Sequence, residues 1–305
     1  MSETFAARVV ATSGRHMTVR TADGRLLRAR PFGRALTVVC GDQVQCRADP
    51  HHDELHVVAV LPRRSALYRA NVRGASEPVV ANLDVLLVVL APLPAPDLFV
   101  VDRYLAAAAS AHIAPTLVVN KEELGIDAAL GAELAAYAAA GYAAVRCSAT
   151  TGANLAALLA AIPAGAAAAL VGQSGVGKSS LVAQLLPGEQ VAIGALVREE
   201  EGRHTTTASR LFELPGQRAL IDSPGVRDFA PAIDRLDARS LGFVEVERLA
   251  PGCRFHDCRH MREPDCAVRA AVEGGTLHPR RYESYRRLRM LFEKLSAARG
   301  PGGRN

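Results

Sequence analysis

Gly172, Gln173, Ser174, Gly175, Val176, Gly177, Lys178 and Ser179 fit GxxxxGK[ST] at every fixed position. That spacing suits phosphate. The glycines let backbone N–H groups curl around phosphate oxygens. The run continues through Ser180 into a predicted helix, whose N-terminal end adds positive potential. Lys178 can then reach the β- and γ-phosphates, and the Ser179 hydroxyl can ligate Mg²⁺. A second run, Asp222, Ser223, Pro224 and Gly225, matches DxxG. There Asp222 would hold Mg²⁺ through water, and the Gly225 N–H would sense the γ-phosphate. Between the two lie Gly202, Arg203, His204, Thr205, Thr206 and Thr207. One threonine of this run would close over Mg²⁺ and the γ-phosphate as a switch. Spacing does not choose among the three, and Thr206 or Thr207 is preferred.

A phosphate loop leaves the base open. Asn120, Lys121, Glu122 and Glu123 directly follow a predicted strand and resemble the NKxD element of GTPases. In that element an Asn and an acidic side chain read the guanine edge while the Lys packs along the base. Glu123 stands where Asp is usual; it can still accept two hydrogen bonds, but its extra methylene must be accommodated. Cys147, Ser148 and Ala149 follow another strand and resemble the base-supporting SA[KL] loop. Together these predict GTP and GDP as ligands, with an ATPase as the alternative that Glu123 leaves open. Hydrolysis needs an oriented water, and Ras-like proteins use a Gln just after DxxG. Val226 stands there instead and cannot hydrogen-bond water, so hydrolysis by the isolated chain should be slow. His204 could supply the contact, or a partner could; a backbone-capping role for His204 fits equally.

Cys253, Cys258 and Cys266 fall within fourteen residues, with His256 and His260 among them. Three thiolates and one imidazole suit a single tetrahedral, structural Zn²⁺. Cys40 and Cys46 lack such neighbours and read as ordinary buried residues. After the cluster come Arg280, Arg281, Arg286, Arg287, Arg289, Lys294 and Arg299, with Tyr282, Tyr285, Leu288, Phe292 and Leu295 at helical spacing. This is a basic amphipathic helix, and its arginines suit a phosphate backbone.

These residues need elements to hold them. The chain has 305 residues, 49% of them hydrophobic and 22% charged, which is enough apolar material for real cores and argues against wholesale disorder. Residues 1–65 hold five short β-rich runs, at 7–11, 16–21, 25–29, 43–46 and 54–60, separated by turn residues. That pattern predicts a small OB-type β barrel, a fold often used on nucleic acid. Over 66–230, strands at 85–90, 116–119, 142–147, 168–171 and 219–221 alternate with helices at 98–111, 128–140, 155–162 and 178–186. Alternation of this kind predicts an α/β domain with a mostly parallel sheet. Residues 231–305 lose the alternation and form a third, zinc-binding and mostly helical domain. The net charge of +5 permits a nucleic-acid partner without requiring one. No secretory signal and no membrane span are read, which predicts a cytoplasmic protein with reduced cysteines.

The order of the elements is unusual. Small GTPases commonly place the phosphate loop first and the base-reading elements last. Here the base-reading elements at 120 and 148 precede the loop at 172, so the P-loop GTPase domain is circularly permuted. With GRHTTT, DSPG, the N-terminal barrel and the cysteine cluster, nearly the whole chain resembles the ribosome small-subunit-dependent, circularly permuted GTPases. The resemblance selects His260 over His256 as the ligand beside Cys253, Cys258 and Cys266. It implies GTP hydrolysis stimulated by the small ribosomal subunit and its rRNA, in late maturation of that subunit, by a monomer. The reading from a different class is a nucleotide-regulated RNA-binding module with little turnover.

Overall fold

The computed structural model describes residues 4–33, 36–48, 54–71, 75–186, 208–227 and 230–298. At the N-terminus, β1 (Thr4–Ser13), β2 (His16–Thr21), β3 (Leu26–Pro31), β4 (Gln43–Ala48) and β5 (Leu55–Val60) form a closed barrel. Each strand alternates, so Val9, Val19, Ala29, Val44, Cys46 and Val57 fill the interior while their neighbours face out. The closure runs β1-β2-β3-β5-β4 and back to β1, with β3 and β5 parallel. This is the predicted OB-type arrangement.

A two-stranded antiparallel hairpin follows, β6 (Ala66–Ala70) and β7 (Ser76–Ala81). The sequence pattern placed the start of the α/β region here, and the hairpin was not read. It joins the barrel to what comes next: Asn82 donates to the Gly41 carbonyl at 2.9 Å, and Gly41 lies so close to Ala81 that a Cβ would sit 2.1 Å from its carbonyl oxygen. Gly41 has φ of +94°, so a glycine is required there on both counts.

The central sheet is built from β8 (Val85–Leu90), β9 (Ala114–Val119), β10 (Ala143–Arg146), β11 (Ala167–Gly172), β12 (Ser209–Leu214) and β13 (Arg218–Asp222). Its order is β10-β9-β8-β11-β13-β12, parallel except for β12. The unbroken apolar runs of β8 and β11 are buried on both faces, as parallel strands between helices must be. Helices α1 (Leu98–Ser110) and α2 (Ala128–Ala140) cover one face; α3 (Leu155–Ala160) and α4 (Lys178–Leu185) cover the other. Strand β12 then pairs with β1 through Ala11 with Arg210 and Thr12 with Ser209, so barrel and sheet are one continuous ribbon of strands. Arg20 of β2 also bonds Glu213 of β12.

A short helix α5 (Pro224–Arg227) follows β13 and buries Val226 in the core of the central sheet. The C-terminal part contains α6 (Val244–Leu249), α7 (Ala267–Glu273) and α8 (Pro279–Ala298) around a core of Leu241, Phe243, Val246, Val268, Tyr285 and Leu288. Here the basic helix departs from expectation. Arg281 is 1% exposed and lies between Asp102 of α1 (2.6 Å) and Glu245 of α6 (2.7 Å). Arg280 bonds Asp102 and Glu133, and Arg289 donates to the Ala238 and Arg239 carbonyls. These three arginines therefore bolt α8 to its own protein and are not offered to a phosphate backbone. Arg286 and Arg287 pair with Glu283 near the surface. Losing one partner of a buried charge pair such as Arg281 with Asp102 typically costs about 3–5 kcal/mol, because the other charge is stranded.

Candidate nucleotide and metal sites

The phosphate loop leaves the sheet at the end of β11 and enters α4. Gly172 has φ of +148° and packs against Val89, where a Cβ would lie 2.2 Å from the carbonyl oxygen. Gly177 (φ +92°) packs against Asn120, whose Nδ2 would lie 2.3 Å from a Cβ. Both positions require glycine for the close approach as well as for the backbone angle. Lys178, 7% exposed, donates to the Gly172 carbonyl at 2.6 Å and the Gln173 carbonyl at 2.9 Å. Its ammonium is thus held within the turn where phosphate oxygens would lie. Ser179 and Ser180 begin α4, and Ser174 and Val176 complete the loop, with Val176 buried.

The sequence reading did not include Asp97. Its backbone N–H donates to Gln173 Oε1 at 3.0 Å, while its carboxylate caps α1 through the Phe99 and Val100 N–H groups. The phosphate loop is thereby tied to the start of α1. An Asp just ahead of a helical apolar run was the available cap signal.

The base-reading elements, at 120 and 148, converge on this loop from upstream. Asn120, 1% exposed, donates from Nδ2 to the Val176 carbonyl at 2.8 Å and accepts from the Ala149 N–H at 3.0 Å. One side chain therefore joins all three loops. Lys121 bridges the Gly175 carbonyl (2.7 Å) and the Leu93 carbonyl (2.8 Å), which stretches its aliphatic stem across the site. Glu122 turns away to accept from Asn154 at 3.2 Å. Glu123 is exposed, and the buried Ser148 hydroxyl bonds its carboxyl and, with Thr150 and Lys121, holds it below the usual carboxylate range. It is therefore an anion at neutral pH, the state able to accept two hydrogen bonds from a base edge. Thr150 is a further residue the sequence reading did not single out.

Asp222 ends β13 beside the phosphate loop's strand, and Gly225 lies in α5 against Val79 of the hairpin, whose Cγ1 would be 2.8 Å from a Cβ. Val226 is buried in the core that runs under β8 and β11. The side chain at the water-orienting position thus faces the interior as well as lacking a polar atom. His204, Thr205, Thr206 and Thr207 lie outside the described residues.

The four chosen metal ligands come together. The donor atoms of Cys253, Cys258, His260 and Cys266 all lie within 4.8 Å of one another. His260 Nδ1 is 3.4 Å from Cys253 Sγ and 3.5 Å from Cys266 Sγ, whereas His256 is exposed. His260 is buried with φ of +60°, and its carbonyl accepts from the Tyr282 hydroxyl at 2.7 Å, so α8 holds the ligand loop. Burial pushes the Cys258 thiol up to about 12, raises that of Cys266, and lowers His260. Protein alone therefore favours thiols and a neutral imidazole; a soft divalent cation would draw out the thiol protons and join the four donors. Cys40, Cys46 and Cys147 are buried and apart from this cluster.

Known proteins resemble this chain over most of its length. A family model described as RsgA GTPase matches residues 60–231. A small ribosomal subunit biogenesis GTPase RsgA from Azotobacter vinelandii is 44% identical over 288 residues, covering 92% of this chain and 83% of that protein. The protein of the same description from Pseudomonas aeruginosa is 43% identical with the same coverage. Among solved structures, YjeQ from Thermotoga maritima superposes with a TM-score of 0.73 at 26% identity, covering 99% of this chain and all of that one. YloQ, described as a circularly permuted GTPase, shares the fold with a TM-score of 0.70 at 20% identity, covering 96% of each chain. With this match and these relatives, the chain belongs to the RsgA GTPase family.

Proposed function

We propose that this chain is a GTPase that binds the small ribosomal subunit late in its maturation and hydrolyses GTP to GDP and phosphate under stimulation by that subunit. Its family and its relatives named for small ribosomal subunit biogenesis support the reaction and the setting. The observation that carries the nucleotide reading is Asn120, which bonds both the Val176 carbonyl of the phosphate loop and the Ala149 N–H. Sequence elements far apart are thereby joined through one side chain.

In this reading Gly172, Gln173, Ser174, Gly175, Val176, Gly177, Lys178, Ser179 and Ser180 cradle the phosphates. Asn120, Lys121, Glu122, Glu123, Ser148 and Ala149 form the base end. Ser179 and Asp222 hold Mg²⁺, Gly225 senses the γ-phosphate, and His204 with Thr206 or Thr207 acts from the other switch. Magnesium, when bound, offsets the charge gathered on the phosphate oxygens. Cys253, Cys258, His260 and Cys266 hold one structural Zn²⁺. The three domains are 1–65, 66–230 and 231–305, in a cytoplasmic monomer. Among the described residues no helix is long and apolar enough to cross a membrane. With Arg280, Arg281 and Arg289 committed internally, the barrel exterior is the better rRNA surface. There Arg47 lies over the exposed Phe32 ring at 5.2 Å, with Arg30 and His56 adjacent, an arrangement suited to phosphate and stacked bases.

Base selectivity tests the nucleotide reading against the ATPase alternative. GTP should displace a bound guanine nucleotide probe, and ATP should not at equal concentration. Glu123→Asp should retain this preference. Glu123→Ala should weaken guanine binding at least about tenfold, since a site that recognises base donors leaves them unpaired without its acceptor. Normal GTP binding by Glu123→Ala, or equal displacement by ATP, would remove the base-reading assignment.

A further inference from the structure

Strand β12 and the Asp222–Gly225 turn meet at a pair of hydroxyls. Ser209 Oγ donates to Ser223 Oγ at 2.6 Å, and the two residues are 8% and 2% exposed. The last backbone pair of the β12–β13 ladder is Arg210 with Asp222, so this side-chain bond lies one residue farther out, where Asp222 leaves the sheet. On its other edge Ser209 is paired with Thr12 of the barrel strand β1. Ser209 is therefore held from both sides, by a barrel strand and by the sheet. Ser223 in turn faces the sensing glycine: its Oγ is 3.5 Å from the position of a Cβ on Gly225, and its carbonyl accepts from the Val226 N–H at 2.9 Å.

We propose that the Ser209–Ser223 hydroxyl pair is a positioning device for GTP hydrolysis, fixing the Asp222–Gly225 turn against the end of β12. The proposal rests on the reading of the chain as a GTPase. The physical case is that a short buried hydroxyl pair has nowhere to exchange for water, so losing one member strands the other. The turn it anchors carries the magnesium contact and the γ-phosphate sensor, whose placement matters in the transition state. GDP has no γ-phosphate and so makes no use of the Gly225 contact, the part of the turn that Ser223 faces. The pair should therefore act on turnover and leave GDP affinity alone.

The test compares wild type, Ser209→Ala, Ser223→Ala, the double variant and Ser223→Thr. GDP affinity, thermal unfolding, and kcat and KM for GTP with purified small subunits are measured for each. Each single alanine should lower kcat roughly ten- to a hundredfold, as small misplacements of reacting groups do. KM and GDP affinity should stay within about twofold. The double variant should lose no more than the worse single one, because both remove the same bond. Ser223→Thr, which keeps a hydroxyl, should retain most of the rate. Unchanged kcat in both single variants, losses that multiply in the double, or GDP affinity falling in step with kcat would overturn the proposal. Absence of turnover in wild type would sink the GTPase reading and this proposal together; turnover in wild type that the variants retain in full would sink this proposal alone.

Discussion

Lys178→Ala is expected to abolish GTP turnover, with a loss of at least about a hundredfold, the scale seen when a preorganised donor is removed from developing negative charge. The side chain is nearly buried and its ammonium sits 2.6 Å and 2.9 Å from the Gly172 and Gln173 carbonyls. Those carbonyls hold the cation within the loop. When phosphates enter, the same cation is available to the β- and γ-oxygens without a large rearrangement. Alanine removes the charge and leaves two carbonyls of a tight turn without that donor. The damage should stay local, because the zinc ligands and α8 pack around a separate core. The variant should therefore keep one zinc per chain and a wild-type far-UV spectrum. Turnover like that of wild type in Lys178→Ala would refute the phosphate-loop assignment.

The second large effect is loss of the metal. One tightly held Zn²⁺ per chain is expected in the native protein. Structural zinc sites in small domains contribute about 10–16 kcal/mol of apparent binding free energy, which is folding free energy when the site does not exist in the unfolded chain. The loop that carries the four donors should depend on the ion heavily. Cys253, Cys258, His260 and Cys266 are linked only by turns and bends, and His260 carries a left-handed backbone angle that ordinary residues avoid. Around them Tyr282 and Tyr285 of α8 donate to the His260 and Arg259 carbonyls. Cys258→Ser or prolonged chelation should release the zinc and expose the C-terminal part to proteolysis, with GDP binding retained by the nucleotide domain. Native protein containing no zinc by elemental analysis, or undisturbed folding of Cys258→Ser, would contradict this.

How much of this could be read from sequence varied with the kind of signal. The phosphate loop, NKEE, CSA and DSPG were legible because each is a short run whose spacing follows from ligand geometry. Their convergence was not; it depends on Asn120 reaching Val176 across the sheet, a contact no local pattern encodes. The barrel strands were visible through alternation, but the β6–β7 hairpin was not: its five- and six-residue strands include Pro78 and carry mixed burial. Strand β12 follows a long polar stretch and is antiparallel to its neighbour, so it breaks the βαβ rhythm used to find the others. The α8 arginines mislead for a different reason. Charge at helical spacing usually marks a solvated face, yet Arg281 lies among the Tyr137, Tyr142 and Phe243 rings with two carboxylates from distant segments. The metal ligands were legible as a set, while the choice of His260 over His256 drew on the family resemblance and agrees with the positions of their side chains.

GTP hydrolysis on this chain should be driven by the small ribosomal subunit. Val226 is apolar and buried, so the isolated protein has no side chain at that position to orient water. The most direct measurement is GTP turnover by the full chain, at fixed salt, with and without purified small subunits. Slow turnover alone and an increase of at least about tenfold on adding subunits is the predicted result, since completing a GTPase site in trans commonly gives far more. Equal turnover in the two conditions would contradict it.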